Sequence, residues 1–265
     1  MRARSRTTTR TNVRIRQAVT AAAVLPVLAL AAACSGDDGG SGDGKGKDGA
    51  TTAPATSAAG SSTGAAKAPL TAAQLRSALV KGTEVPGYKI EASKNEAMSP
   101  DDVMTTDKPE CQPLADPPST RPKYARKAFV GASVGKIDPA NLPAGVELTQ
   151  MLLASHAPGE AGKMVADIRQ ALDKCTAFTA TDGTGKKIPF AIRKGPAVTV
   201  GDEAVSYVMA DTGDKEGGTA LVTVVRTGDA SVTYLSVKGT GQAGDPPLVV
   251  ARKQDTNLKA AEAAG

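Results

Sequence analysis

The sequence has no tryptophan and only one histidine, three phenylalanines and four tyrosines. Surfaces that bind bases through stacking need exposed rows of aromatic rings, so this composition argues against such a surface. A single imidazole, that of His156, cannot form a zinc site without a set of carboxylate or thiolate ligands. No such set is recognisable, and no motif for a cofactor is present. We therefore expect neither a metal nor a cofactor.

The basic residues of the chain are unevenly placed. The chain carries 32 Lys and Arg against 27 Asp and Glu, a formal charge of +5. Six arginines lie within residues 1–33, which contain no acidic residue, and removing them leaves 26 basic residues against 27 acidic ones. Nucleic-acid-binding domains concentrate their positive charge on the folded surface. We therefore predict no nucleic-acid partner.

Long hydrophobic runs are absent apart from sixteen uncharged residues at positions 18–33. As a helix this run would be about 24 Å long, which is shorter than the ~30 Å hydrocarbon core of a bilayer. It follows an arginine-rich segment and ends in small residues, the pattern of a secretory signal peptide. We predict that residues 1–33 form a signal peptide that is cleaved on export.

Cys34 directly follows Leu30-Ala31-Ala32-Ala33. This resembles the lipobox of bacterial lipoproteins, although Ala31 stands at the position where leucine is usual. The resemblance implies that signal peptidase II cleaves before Cys34 and that its thiol carries a diacylglyceryl group. Because two acyl chains anchor a protein stably, we expect a lipid anchor, such as palmitate, on the outer face of the cytoplasmic membrane.

Residues 34–68 are predicted to be the lipidated cysteine followed by a disordered tether. Positions 35–67 contain nine glycines and no large apolar side chain, so they cannot bury enough surface to offset the entropy of ordering. A flexible coil of this length has a root-mean-square reach of about 30 Å. Residues 69–265 are long enough for one domain with a substantial core.

The pattern of residues 69–265 predicts an α+β domain. Thr71 and Gln74 form a capping box at the start of the first helix, and apolar residues at helical spacing predict a helix at about 160–174. A final helix is predicted from Asp245-Pro246 to about Ala261. Alternating and β-branched segments predict strands at about 88–92, 126–134, 145–155, 176–181, 188–193, 203–211, 219–227 and 231–238. We expect an antiparallel sheet with the helices packed on one face.

Two cysteines remain once Cys34 is assigned to the anchor. An even pair in an exported domain is expected to be oxidised, so we predict a structural disulfide between Cys111 and Cys175. The bridge would join a proline-rich loop at 94–123 to the end of the central helix. A redox or metal role would need a CxxC motif or further histidines, and the sequence has neither.

Gly131-Ala132-Ser133-Val134-Gly135 matches the GxSxG motif of serine hydrolases. In those enzymes a strand-to-helix elbow exposes the serine, but the residues after Gly135 cannot form the required long helix. The only histidine, His156, follows at 23 residues, too close for the usual order of the triad. We predict no catalytic residue, while a divergent cell-envelope hydrolase using Ser133 and His156 stays open as an alternative.

The order of these features resembles that of actinobacterial cell-surface lipoproteins. A domain opening at Leu70–Leu75, a loop cysteine, a helix ending at Cys175 and a Val200–Glu203 turn also resemble the extracellular sensor domain of mycobacterial receptor Ser/Thr kinases. That family implies an antiparallel sheet with helices lining a cleft, and ligand binding without catalysis. It typically has two disulfides, whereas this chain has cysteines for one.

These observations predict a membrane-anchored extracytoplasmic lipoprotein with a sensor-like domain that is not an enzyme. Its partners would be the membrane, through the anchor, and a small-molecule, lipid or cell-wall ligand. The resemblance identifies no ligand-binding residue. A structural or assembly lipoprotein without a pocket is a further alternative.

Overall fold

The computed structural model describes residues 67–94, 102–143, 145–213 and 218–264. The predicted signal peptide, Cys34 and nearly all of the predicted tether lie outside these ranges. The described residues belong to one unit of the chain, Ser61–Gly265. Within them, the helices are too short or too polar to cross a membrane.

Within the described ranges, nine strands form one antiparallel sheet. In chain order they are β1 (Lys89–Ala92), β2 (Thr105–Thr106), β3 (Ala128–Ile137), β4 (Val146–Ser155), β5 (Ala177–Thr181), β6 (Lys187–Lys194), β7 (Glu203–Asp211), β8 (Thr219–Thr227) and β9 (Ala230–Lys238). Their order across the sheet is β1-β3-β4-β9-β8-β7-β6-β5-β2. The strands predicted from alternation are therefore confirmed, with small shifts at their ends. The two shortest strands, β1 and β2, form the two edges of the sheet.

Glycine makes the tightest of the connections between strands. The β8–β9 hairpin pairs Thr227 with Ala230 across a two-residue turn, Gly228-Asp229. Gly228 has a φ of 54°, a left-handed conformation that glycine adopts without the steric cost of a side chain. A Gly-Asp pair between two β-branched segments is a pattern that predicts a hairpin, and the structure has one at this position.

Four α-helices accompany the sheet in the part of the chain that the structure describes: α1 (Ala72–Ala78), α2 (Gln112–Ala115), α3 (Glu160–Leu172) and α4 (Leu248–Ala264). The predicted capping box is present, because the Thr71 side chain accepts from the Gln74 backbone while the Gln74 side chain accepts from the Thr71 backbone. In α3 the apolar positions Ala161, Met164, Val165, Ile168 and Ala171 are all buried. Helical periodicity therefore identified the buried face of α3 correctly.

The α+β class and the antiparallel sheet are confirmed, but the helices cover both faces of the sheet. One core cluster packs α1 and α4 against β3, β4 and β9, and it includes Val225. The other packs α2 and α3 against β5 to β8, and it includes Val224. Adjacent strand residues point to opposite faces, so the two clusters lie on opposite sides of the sheet.

Packing of all helices on one face, as the sequence predicts, does not occur. The reason lies in β8, where five consecutive residues from Leu221 to Val225 are buried. A strand without an exposed polar face must be covered on both sides. Each half of the sheet therefore carries helices on one face, and the two halves use opposite faces.

This arrangement leaves an uncovered surface beside the centre of the sheet. We call it the open face: the side of β3, β4 and β9 that points away from α1 and α4. Ser133, Leu148 and Gln150 are exposed on it. Of the described residues between β1 and β3, Ser93, Asp102, Pro117 and Pro118 border this face at the site described next.

Candidate ligand-binding cleft

A cleft of about 360 Å³ lies on the open face. Its floor consists of side chains from neighbouring strands, with Ser133 opposite Gln150 and Leu152 opposite Thr233. Leu235 completes the floor, and Ser93 and Asp102 lie at its border. Such a volume is at the lower end of the range for small-molecule pockets.

Pro117 and Pro118 form the opposite wall of the cleft. They belong to residues 102–127, which we call the wall segment. The sequence predicts a loop here, but the structure contains β2, paired with β5, and the short helix α2. The difference arises because β2 and α2 are stabilised by partners distant in the chain, which local sequence patterns do not reveal.

The predicted disulfide between Cys111 and Cys175 is present and joins the wall segment to the end of α3. Both cysteines are buried within the core cluster beneath α3. The bridge spans 64 residues of sequence and restricts how far the wall segment can move from the sheet.

A mostly buried arginine also holds the wall in place. The Arg126 guanidinium donates from Nη1 to the Ser119 carbonyl at 2.7 Å and from Nη2 to the Pro117 carbonyl at 2.8 Å. Burial lowers the pKa of Arg126 to about 10, and the nearby Asp116 opposes this effect. The guanidinium is therefore still charged at neutral pH, and its hydrogen bonds are of the stronger, charge-assisted kind.

Further buried polar groups fix the remainder of the wall. The Tyr207 hydroxyl, fully buried on β7, donates to the Leu114 carbonyl at 2.7 Å. The Asp116 carboxylate accepts from Gln112 Nε2 at 2.8 Å and from the Lys123 backbone at 3.1 Å. A binding site whose walls are held by packed side chains is preorganised for its ligand.

Two larger grooves lie along α4. One, of about 510 Å³, separates α1 from α4, and the other, of about 560 Å³, lies beside Lys67 and Gly228. Both are lined mainly by helix surface and by the first described residues of the domain. The cleft on the open face is the stronger candidate because its wall is fixed by the disulfide and by Arg126.

The structure separates Ser133 from His156. Ser133 is an exposed residue within β3, not on an elbow between a strand and a helix. Ser155, the residue before His156, pairs with Ala128 on β3. Ala128 is five residues from Ser133 along this strand, which corresponds to roughly 17 Å at the usual rise per residue. The serine and the histidine of the hydrolase alternative therefore do not form a catalytic pair.

His156 has a structural partner instead. It is buried, and its Nε2 lies 2.8 Å from Ser231 Oγ. Burial and the positive charge of Arg126 lower the pKa of His156 to about 4, while Glu160 and Asp229 act in the opposite direction. The ring is neutral at pH 7. Across the described ranges, His, Cys, Asp and Glu form no group of three that could hold a metal ion.

The residues that build the wall are those that sequence reasoning missed. Arg126, Asp116 and Tyr207 are not part of any recognisable sequence motif. The residues next to Arg126 in the sequence do not indicate whether its side chain is buried or exposed to solvent. Only the prolines and Cys111 marked this segment as unusual. Cys34 lies outside the described residues. Its lipidation therefore stays a prediction.

Comparison with known proteins identifies the fold family. A family model described as the PknH-like extracellular domain matches residues 62–253. Among solved structures, the extracellular domain of PknH from Mycobacterium tuberculosis matches at 12% identity with a TM-score of 0.47, covering 72% of this chain and 98% of that one. An uncharacterised protein from Mycobacterium smegmatis matches at 11% identity with a TM-score of 0.33, covering 72% and 95%.

No curated protein matches the chain. The family model nevertheless spans most of this chain. It confirms the resemblance to a receptor-kinase sensor domain that the sequence indicates. The protein belongs to the family of PknH-like extracellular domains.

Proposed function

We propose that the protein is an extracytoplasmic lipoprotein, anchored through Cys34, whose sensor-like domain binds a small ligand in the open-face cleft without transforming it. The observation that carries this proposal is the preorganised wall, where Arg126 and the Cys111–Cys175 bridge hold Pro117 and Pro118 over the floor. A fixed wall lowers the entropy that a ligand must overcome on binding.

Two further observations support the proposal. Membership in a family of extracellular domains agrees with an extracytoplasmic location. The separation of Ser133 from His156 leaves the Ser133 hydroxyl in the cleft without the histidine that would activate it for acyl transfer.

Anchoring is tested by expressing the full chain and its Cys34→Ala variant in an actinobacterial host and partitioning both between detergent and water. We expect the wild-type chain in the detergent phase, with an acylated Cys34 in its mass spectrum, and the variant in water. Wild-type protein that partitions into water without acyl mass would refute the anchor.

Ligand binding is tested by filling the cleft. Gln150 is exposed on the floor, so Gln150→Trp adds bulk there without disturbing the core. Ala191→Trp, at an exposed position of β6 outside the cleft, is the matched control. In native mass spectra of the protein from the same host, we expect bound ligand mass on the wild type and the control, and its loss from Gln150→Trp. Absence of bound mass from all three would contradict the proposal and favour an assembly protein without a ligand.

A further inference from the structure

The most exposed large apolar side chains lie together at one end of the domain. In the described ranges they are Ile137 at 64%, Leu142 at 60%, Leu148 at 54% and Val249 at 52%. Ile137 ends β3, Leu142 lies in the connection to β4, and Leu148 is near the start of β4. We call these four residues the apolar end. Exposed apolar residues are normally scattered singly, so four at one end indicate a contact surface.

Val249 belongs to this end because the chain before α4 packs against the β3–β4 hairpin. The Asp245 backbone N–H donates to Glu147 Oε1 at 3.2 Å. Pro247, directly before α4, lines a small cavity together with Lys136 and Glu147. The start of α4 therefore lies beside the hairpin, although the two segments are distant in the sequence.

The first described residues of the domain lie at its opposite end. Ser155 Oγ, at the end of β4, donates to the Leu70 carbonyl at 2.6 Å. Lys67 Nζ donates to the carbonyl of Glu262, near the end of α4, at 2.8 Å. Since β4 has ten residues, it separates the two ends by about 30 Å.

The shape of the apolar end suits a bilayer better than a folded partner. Its side chains line neither the cleft nor the two grooves along α4. Leu148 is on the open face, whereas Val249 is on α4, which packs on the opposite face of the sheet. A stable protein interface needs roughly 800 Å² of matching surface on each partner. A fluid bilayer instead accommodates side chains that point in different directions.

The charges around the apolar end nearly balance. Three ion pairs lie at or beside it: Lys89 with Glu91 at 2.9 Å, Lys238 with Asp245 at 3.2 Å, and Lys253 with Glu84 at 3.2 Å. Lys94 adds a positive charge near Glu91. The same segments also carry Lys136 and Arg252, opposed by Asp138 and Glu147. Because the excess positive charge is small, binding of this end to a membrane depends on apolar burial and little on anionic lipid.

The apolar end alone would bind a bilayer weakly. Moving one half-exposed Leu, Ile or Val side chain out of water strengthens binding about fivefold, so four of them give a Kd of about 1 mM. A lipid anchor raises the effective concentration of the bilayer to the millimolar range. The predicted tether at residues 35–67 reaches about 30 Å, the distance from the apolar end to Lys67. Insertion is therefore possible while Cys34 is anchored.

We propose that the apolar end inserts into the surface of the membrane that holds the lipid anchor, so that the domain is attached at two points. This inference goes beyond the proposed function but rests on its anchor. Lys136 Nζ lies 5.9 Å from the centre of the Tyr88 ring, and both residue types favour the interface between lipid and water. Gln150 of the cleft floor follows Leu148 by two residues, about 7 Å, so insertion brings the cleft close to the lipid head groups.

The absence of tryptophan from the chain permits a test of this orientation. Leu142→Trp places a reporter at the apolar end, and Ala263→Trp places the same reporter at an exposed position near the other end of α4. Both full chains are purified in detergent from the actinobacterial host, and their mass spectra are checked for an acylated Cys34. They are then reconstituted into phosphatidylcholine vesicles with brominated acyl chains, which quench tryptophan on contact. We expect blue-shifted, quenched emission from Leu142→Trp and unquenched emission from Ala263→Trp.

Two substitutions at one position test whether apolar burial drives the insertion. In the Leu142→Trp protein, Ile137→Ser should lower the ratio of inserted to free domain about fivefold, whereas Ile137→Leu should leave it unchanged. Replacing half of the phosphatidylcholine with phosphatidylglycerol should also change it little. Equal quenching of the two reporters, equal effects of the serine and leucine variants, or insertion only with the anionic lipid would overturn the proposal. So would a dimer of the Cys34→Ala chain in sedimentation that Ile137→Ser abolishes, since this end would then bind a second copy.

Failure of this proposal is distinguishable from failure of the proposed function. Acyl mass on Cys34 together with an unquenched Leu142→Trp would leave the anchor intact and refute the insertion. Absence of acyl mass would refute the anchor and, with it, the insertion. Ligand binding in the cleft is tested separately through Gln150→Trp and does not depend on either result.

Discussion

Arg126 Nη1 donates to the carbonyl oxygen of Ser119 at 2.7 Å, joining the entry of β3 to the wall of the cleft. This one bond connects a mostly buried charge with a segment that has little regular secondary structure. A side chain that satisfies backbone carbonyls in this way substitutes for the hydrogen bonds that a helix or sheet would provide. The shape of the cleft thus depends on a residue outside its lining.

Replacing this guanidinium should destabilise the domain. Arg126→Met preserves much of the side-chain volume but leaves the Ser119 and Pro117 carbonyls without their donor. We expect the free energy of unfolding to fall by about 1.5–3 kcal/mol, the range for hydrogen bonds to a charged group. Arg126→Lys, which keeps the charge but cannot reach both carbonyls, should lose less. Urea denaturation measures the change, and a midpoint for Arg126→Met equal to that of the wild type would contradict it.

Two buried tyrosines should respond differently to loss of their hydroxyl groups. Tyr207 and Tyr234 are both fully buried, but only Tyr207 has a partner for its hydroxyl, the Leu114 carbonyl. The Tyr234 hydroxyl has none among the described residues. We expect Tyr207→Phe to cost about 1–2 kcal/mol of unfolding free energy and Tyr234→Phe to be neutral or stabilising. Equal losses in thermal or urea denaturation would show that the hydrogen bond to the wall contributes nothing.

Folding stability should depend on the protonation of His156. The pKa of His156 is about 4 in the folded domain, because of burial and the charge of Arg126, against about 6.5 in an unfolded chain. The unfolded state therefore binds the proton first as the pH falls, so stability declines from about pH 6.5 to about pH 4.

This difference corresponds to about 3 kcal/mol lost by pH 4. His156→Gln, which does not titrate, should remove that part of the decline. The measurement compares urea unfolding of the wild type and of His156→Gln at pH 7 and pH 4. The remaining titratable groups contribute equally to the change in stability of the two proteins. Parallel declines would show that His156 takes up its proton equally in both states.

The disulfide should stabilise the domain chiefly by restricting the unfolded chain. For a bridge that spans 64 residues, the chain-entropy model gives about 4 kcal/mol. We expect a variant with Cys111→Ala and Cys175→Ala to lose an amount of this order in urea unfolding. Wild-type protein unfolded in the presence of a reductant is the control, and it should behave as the variant does. Identical curves for the variant and the oxidised wild type would refute the prediction.

The sequence alone determined the features that depend on neighbours along the chain. The capping box of Thr71 and Gln74, the buried face of α3 and the Gly228 turn follow from local hydrogen bonding and side-chain periodicity, and all are present. Counting cysteines was enough to pair Cys111 with Cys175. The family resemblance followed from the order of these same local features.

Only the tertiary structure decided where distant residues meet. It placed helices on both faces because β8 is buried on both sides, and it separated Ser133 from His156 because the strand register puts them at different heights on the sheet. It also brought the Arg126 guanidinium to the carbonyl groups of Pro117 and Ser119 and aligned Leu148 with the cleft floor. These outcomes depend on long-range strand pairing and on desolvation, which are properties of the packed chain and not of any short segment of it.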